Sequence, residues 1–517
     1  MRTLLSRRAA GVAILLFWAG VIGMHVRREY FKPLAMRLEE GARTLAPGSY
    51  YYVVRMQGHA MGVARSQFDT VASGFVFQDN MVLDVPALDT VHRASAQTRV
   101  DFGKSLQMQQ FKFNLTSEIG RFDVTGTMRA DSQLDIRINA GGKEQRMLYP
   151  AGGTLMLDAA VPLRLAAGKE LTVGRSFTAR VFDPSTMSDR QSVLRVTARD
   201  TMIVPDSAAW DAAGKRFVAT SYDTIPVWRI EQQLGSIKVG NWVDEDGHLV
   251  KAESPLGFTV DRTAYELADQ EWKASSSDPR RAAGYGAVIE QTAIASNVDL
   301  GDVASTAQLR VRLKGVDLAG FDLSGGRQQL RGDTLVINRE AAAQLRANYS
   351  LPYGRGDTLV TGELVATPLI QSNDPGIRRT ARRATSYTRD PAEAARLLNG
   401  WVHSMLRKEI TLSVPSALQV LAARQGDCNE HTVLYVALAR SIGLPARTAV
   451  GLVHVRGRFY YHAWPEVYLN GGWVAVDPTL GQYPADASHL RFLVGGLARQ
   501  VELIRLIGRL QLEVERT

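Results

Sequence analysis

A chain of 517 residues exceeds what one hydrophobic core supports and calls for about two to four domains. Apolar residues at 45% and charged residues at 22% exclude general disorder, and the formal charge, 61 basic against 52 acidic residues, is a mild +9. No helix-turn-helix, RNP or zinc-finger pattern accompanies that excess, so it gives no reason to expect nucleic acid. It reads as solvated surface and as charge flanking an apolar segment.

The apolar segment comes first. AAGVAILLFWAGVIGM, Ala9 to Met24, lies between Arg7-Arg8 and Arg27-Arg28. Extended through His25 and Val26 it reaches the lower end of the about 17–25 residues of a spanning helix, and no small-x-small cleavage site precedes Arg27. Residues 1–28 are therefore expected to be an uncleaved signal-anchor. That would make the chain a single-pass protein of a cell inner membrane, with its bulk periplasmic.

From Tyr50 to Leu267 the pattern is β. FKFNL (Phe111 to Leu115), FDVTGTM (Phe122 to Met128) and LDIRI (Leu134 to Ile138) alternate apolar and polar, which puts one face in a core. Asp246-Gly247 sits between two such runs, and that dipeptide accepts the positive φ of a hairpin turn. Residues 29–272 are expected to form a large antiparallel β domain; nothing in it gathers His, Asp or Glu at catalytic spacing. Asn114 and Asn348 match the glycosylation pattern, which short sequences meet often by chance. Lys273 to Arg281 reads as a linker, opening a 273–375 region of linker and smaller β structure. Gln371 to Pro391 reads as a turn-rich, basic connector containing the run Arg378–Arg383.

From Pro391 the period becomes helical. Ala394, Leu397, Leu398, Trp401, Val402 and Met405 share one face, and a second helix starts near Pro415-Ser416. GDCNEHTVLYVALARSIGLPAR follows, holding the one cysteine of the chain. A lone cysteine makes no internal disulfide. Gly426-Asp427 makes a turn, a helix resumes after Cys428, and Gly443 and Pro445 end it. At a helix N-terminus the free amides and the dipole favour a thiolate and can receive an oxyanion. Downstream, RFYYHAWPEVYLNGGWVAVDPT reads as two strands joined by Asn470-Gly471-Gly472. His462 lies on the first and Asp477 at the end of the second, so antiparallel pairing can set imidazole beside carboxylate.

These landmarks, in this order, resemble the transglutaminase-like domain of the papain-like thiol hydrolase superfamily, over residues 376–517. The resemblance implies a papain-like α+β domain in which Cys428 is the nucleophile, His462 the general base and acid, and Asp477 the orienting carboxylate. The fold class expected for the whole chain is α+β: an N-terminal membrane helix, a large antiparallel β region and this domain. The β region loosely resembles antiparallel domains of bacterial envelope proteins. The implied function is thiol acyl transfer, hydrolysing peptide or amide bonds of a peptide or protein substrate in the bacterial cell envelope. A crosslinking transglutaminase and a non-catalytic envelope scaffold are the alternatives, and fast labelling of a low-pKa thiol would tell enzyme from scaffold.

Other residues have competing readings. His431 is a local cap, a secondary site residue or a metal ligand, and Cys428, His431, His462 and Asp477 are ligand types that suffice for zinc. Trp464 and Trp473 read as core aromatics beside the site. Pro445 and Arg447 fix the turn after the helix, and Gln419 and Trp401 are candidates for a second oxyanion donor. His403, His454 and His489 have no assigned role. With no glycine-rich phosphate loop and no EF-hand loop, no cofactor is expected.

Overall fold

The computed structural model describes Trp18 and residues 33–515, apart from 88–89, 119, 153–154, 235–236, 256, 277–292, 302, 304–305, 355 and 410–413. Fourteen antiparallel strands between Gly48 and Thr263 form one sheet. Gly48–Met56 sits mid-sheet and pairs on one side with His59–Val71, opening an eight-strand meander that ends at Lys143–Pro150. On its other side it pairs with Phe258–Thr263, the last of six strands that begin at Ser176–Asp183. The two outermost strands approach each other: Arg180 donates to the carbonyls of Pro150 (3.1 Å) and Ala151 (2.8 Å), and Phe182 packs edge-on against Tyr149. The sheet thus curls towards a barrel, as a large twisted sheet tends to.

The expected alternation is what fills this barrel. Phe111, Phe122, Val124, Leu134, Ile136 and Ile138 are all buried on one face, with polar neighbours between them. Asp246-Gly247 does make a hairpin turn: the Gly247 amide bonds Asp244 O at 3.0 Å, with Gly247 at φ +85°.

The expected fold class needs correction. The chain is mostly β, 47% strand against 21% helix, because the strands are long; Ser188–Asp211 alone has 24 residues. Ala9–Met24 lies outside the described residues except for Trp18, and among the described residues no helix is long and apolar enough to cross a membrane. The N-terminal membrane helix is therefore no part of the observed fold.

Two expected connectors are helical. Lys273 belongs to the helix Tyr265–Ser276, which packs on the sheet through Ala268 and ties back to it through Arg55–Glu271 at 2.6 Å; the rest of that linker, 277–281, lies outside the described residues. Gln371–Pro391 contains the helix Pro375–Ala384, capped by Asp374 Oδ1, which accepts from the amides of Gly376 (2.7 Å) and Ile377 (3.1 Å). Burial of Ile377 and Ala381 holds it in place, and its arginines sit on the other face.

Gln308–Lys314, Gln328–Arg331 and Thr334–Asn338 form a small sheet whose fourth strand is Gln511–Glu515, from the far end of the chain. Its core is shared with the next sheet: Leu309, Val311 and Ile337 pack in one cluster with Leu452, Phe459 and Phe492. That next sheet joins Ala446–Val455, Arg458–Tyr468, Leu490–Val494, Trp473–Ala475 and the two-residue strand Ile294–Ala295. Helices Pro391–Met405, Ala417–Ala423 and Cys428–Ser441 cluster around a separate core containing Leu398, Tyr435 and Leu438.

Candidate active site

Asp427 and Glu430 decide where the cysteine sits. The Asp427 carboxylate accepts the Asn429 amide at 2.8 Å, and Glu430 Oε2 accepts the Asp427 amide at 2.9 Å, a reciprocal capping box that starts the helix at Cys428. At the other end Gly443, at φ +82°, bonds Arg440 O at 3.0 Å, and the Leu444 amide reaches Ala439 O at 3.0 Å. These are the two bonds of a Schellman ending. Both ends therefore fall where the sequence put them.

His462 lies on Arg458–Tyr468, opposite Gly451 in the pairing with Ala446–Val455. A Cβ on Gly451 would meet Leu490 O at 1.9 Å, so only glycine lets the three strands close up at this point. The Asn470-Gly471-Gly472 turn returns the chain as Trp473–Ala475, and Asp477 follows. His462 Nε2 bonds Asp477 Oδ2 at 2.7 Å. The Cys428 thiol lies close enough to His462 and to the Ala463 backbone for both to favour its charged form. Imidazole and carboxylate are thus bonded, with the thiol beside them.

Asp477 is completely buried and fully satisfied. Its Oδ1 accepts the amides of Thr479 (2.7 Å) and Leu480 (2.9 Å), and its Oδ2 also accepts His489 Nε2 at 3.0 Å. His489 Nδ1 in turn reaches Asp486 Oδ1 at 3.1 Å. Both ring nitrogens face carboxylate oxygens, which accept but do not donate when ionised, so the arrangement favours the imidazolium.

Burial alone would raise Asp477, but the two histidines outweigh it and hold the carboxyl well below the usual range. Burial likewise pushes His489 down, and its two acids bring it back above the ordinary value. For His462, burial is again opposed, chiefly by Asp477 and then by Cys428, and the ring rises to about 9. The thiol does not behave as helix position alone predicts. Burial, then Asp427, push it up, and His462 and the Ala463 backbone only partly offset this. Burial thus holds the thiol towards its neutral form, while Asp477 holds the ring towards its charged form.

The remaining sequence candidates separate. The zinc set is not assembled: His431 Nδ1 turns back to its own helix, onto Asp427 O at 2.7 Å. Among the described residues the clustered donors are instead His462, Asp477 and His489, and these are joined by hydrogen bonds to one another. Trp464 is a buried core residue stacked beside the His462 ring, at 6.2 Å between centroids. Trp473 lies under Arg447, whose guanidinium also pairs with Glu466 at 2.6 Å. Gln419 packs against the barrel turns at Gly120 and Gly141, and Trp401 borders the helical core. His454 packs edge-on against Phe459. Sequence reasoning left His489 and His403 without roles and did not single out Asp486. His403 Nδ1 bonds Pro478 O at 3.0 Å and so braces the residue after Asp477. The only signal for them is the pair Asp486-x-x-His489, which no periodic pattern marks.

Residues 378–478 match the transglutaminase-like superfamily. The matched segment holds Cys428, His462 and Asp477 and covers about a fifth of the chain. Among solved structures, the chain is similar to a candidate cysteine protease from Cytophaga hutchinsonii at 14% identity, over 41% of this chain and 85% of that one, with a TM-score of 0.27. It is also similar to a β-barrel-like protein of a domain family of unknown function from Brucella abortus, at 15% identity over 42% and 95%, with a TM-score of 0.29. No curated protein is similar to it in sequence.

Proposed function

We propose that the transglutaminase-like domain is a thiol acyl-transfer enzyme that hydrolyses peptide or amide bonds. Cys428 acts as nucleophile, His462 as general acid and base, and Asp477 as the group that orients and charges the ring. The observation that carries this reading is the 2.7 Å bond between Asp477 Oδ2 and His462 Nε2, with the Cys428 thiol near enough to that ring to feel its charge. Loss of the thiol proton to solvent leaves a thiolate beside the imidazolium, and its sulfur attacks the carbonyl carbon. The C–N bond breaks and the amine leaves with the proton of His462. The neutral ring then takes a proton from water, whose oxygen attacks the thioester, releasing the carboxylic acid and the thiolate. The Asp427 cap already takes the Asn429 and Glu430 amides, so among the first-turn amides that of Cys428 receives the oxyanion.

Cys428→Ala should abolish iodoacetamide-sensitive cleavage of a mixed peptide pool and leave the far-ultraviolet circular dichroism unchanged. Cleavage at the wild-type rate in that variant would contradict the reading.

A further inference from the structure

Between the barrel and the nucleophile's helix lies a cavity of about 300 Å³. That is well above the roughly 30 Å³ of a liquid water and at the lower end of the roughly 300–1,000 Å³ found for small-molecule sites. Asn429, Thr432 and Val433 supply one wall from the helix, Ile370 lies at a second, and Met187 closes it from the barrel. Apolar atoms dominate the lining, with one exception that matters. Thr432 is fully buried, and its Oγ1 has no hydrogen-bond partner among the described residues. A buried hydroxyl left unpaired is costly, so a group from a bound molecule is its natural partner. Asn429, by contrast, is already held by Gln500 at 3.0 Å.

Thr432 follows Cys428 by four residues, which puts the two on one face of the helix and about 6 Å apart along its axis. An acyl group attached to the sulfur stays within that reach for one residue, side chain and backbone amide included. We infer that the cavity is a selectivity pocket for an apolar side chain of about leucine size on the acyl residue, with the Thr432 hydroxyl bonding that residue's amide. The inference deepens the thiol acyl-transfer reading and rests on it. It also gives the barrel a part in catalysis, because Met187 belongs to the barrel core.

The test uses the full chain and 4-nitrophenyl esters of N-acetylglycine, N-acetylleucine, N-acetylphenylalanine and 4-methylpentanoate. In each, the Sγ–C bond forms, the ester C–O bond breaks and 4-nitrophenolate leaves. The wild type should prefer N-acetylleucine to N-acetylglycine by at least about tenfold in kcat/KM. Met187→Trp, which fills the pocket, should bring that ratio close to one, and Met187→Ala should move the preference to phenylalanine. Thr432→Val should slow N-acetylleucine by about tenfold more than 4-methylpentanoate, which lacks the amide, and Thr432→Ser should restore the difference. A Cys428-dependent release with the same ratios in the wild type and both Met187 variants would overturn the pocket alone. Absence of any Cys428-dependent release would overturn the thiol reading beneath it.

Discussion

Asp477 sets the charge state of His462, and that charge makes a testable pH profile. With Asp477 ionised the ring holds its proton up to about pH 9, so amide hydrolysis should fall on an alkaline limb near that value. Asp477→Asn removes the carboxylate that opposes burial, so the ring's pKa drops. The alkaline limb should then move down by more than one pH unit, with turnover reduced about 10²–10⁴-fold. An unmoved limb would mean another group titrates there. Linkage gives a second expectation. His462 and His489 are raised, so the stability they contribute is complete below about pH 6.5 and is lost as pH rises through their folded values. Asp477 and Asp486 are depressed, so theirs is present above about pH 4 and lost as pH falls further. His489→Gln leaves two buried carboxylates short of a cation and should cost about 3–5 kcal/mol near pH 6 by urea denaturation. The gap to wild type should narrow as the solution is made alkaline.

At the scale of elements, the start of the Cys428–Ser441 helix rests on one side chain. Asp427→Ala should weaken that first turn by about 0.5–2 kcal/mol, read as faster hydrogen exchange at the Asn429 amide. Unchanged exchange there would show that packing, not the cap, holds the turn. The residues that form this helix were legible in the sequence because each has a local job: Asp427 caps, Gly443 takes positive φ, and Asn470-Gly471-Gly472 turns the chain between His462 and Asp477. Strands such as Leu134–Ile138 were legible for the same reason, since period two is a local property. The helix Pro375–Ala384 was not, because its apolar face is thin, Ile377 and Ala381 among many arginines. The charge of a buried thiol was not legible either. Helix position is visible in a sequence, whereas burial and a facing carboxylate are not.

Across the whole molecule, a buried cation ties the small sheet to the loop that carries Asp486 and His489. Arg327 lies 3.5 Å from Glu340, both nearly inaccessible, and donates to the carbonyls of Ala485 (3.0 Å) and Asp486 (2.8 Å). Nothing local in the sequence links residues 327 and 486, so their meeting could not have been read there. Arg327→Met strands Glu340 and frees the loop carrying Asp486, and should cost about 3–5 kcal/mol in urea unfolding, with activity falling as well. A variant as stable as wild type would detach the small sheet from the site. The barrel is tied in through Lys143–Asp374 at 2.6 Å and through Leu369 and Val414, which join its core.

The most direct test of Cys428, His462 and Asp477 as one chemical unit is mass analysis of the intact chain and its peptides during turnover of 4-nitrophenyl acetate. One acetyl group should appear on Cys428 and clear in the wild type, be absent in Cys428→Ala, and form but persist in His462→Gln. Acetylation elsewhere with Cys428 bare, or clearance from Cys428 at the same rate without His462, would contradict the account.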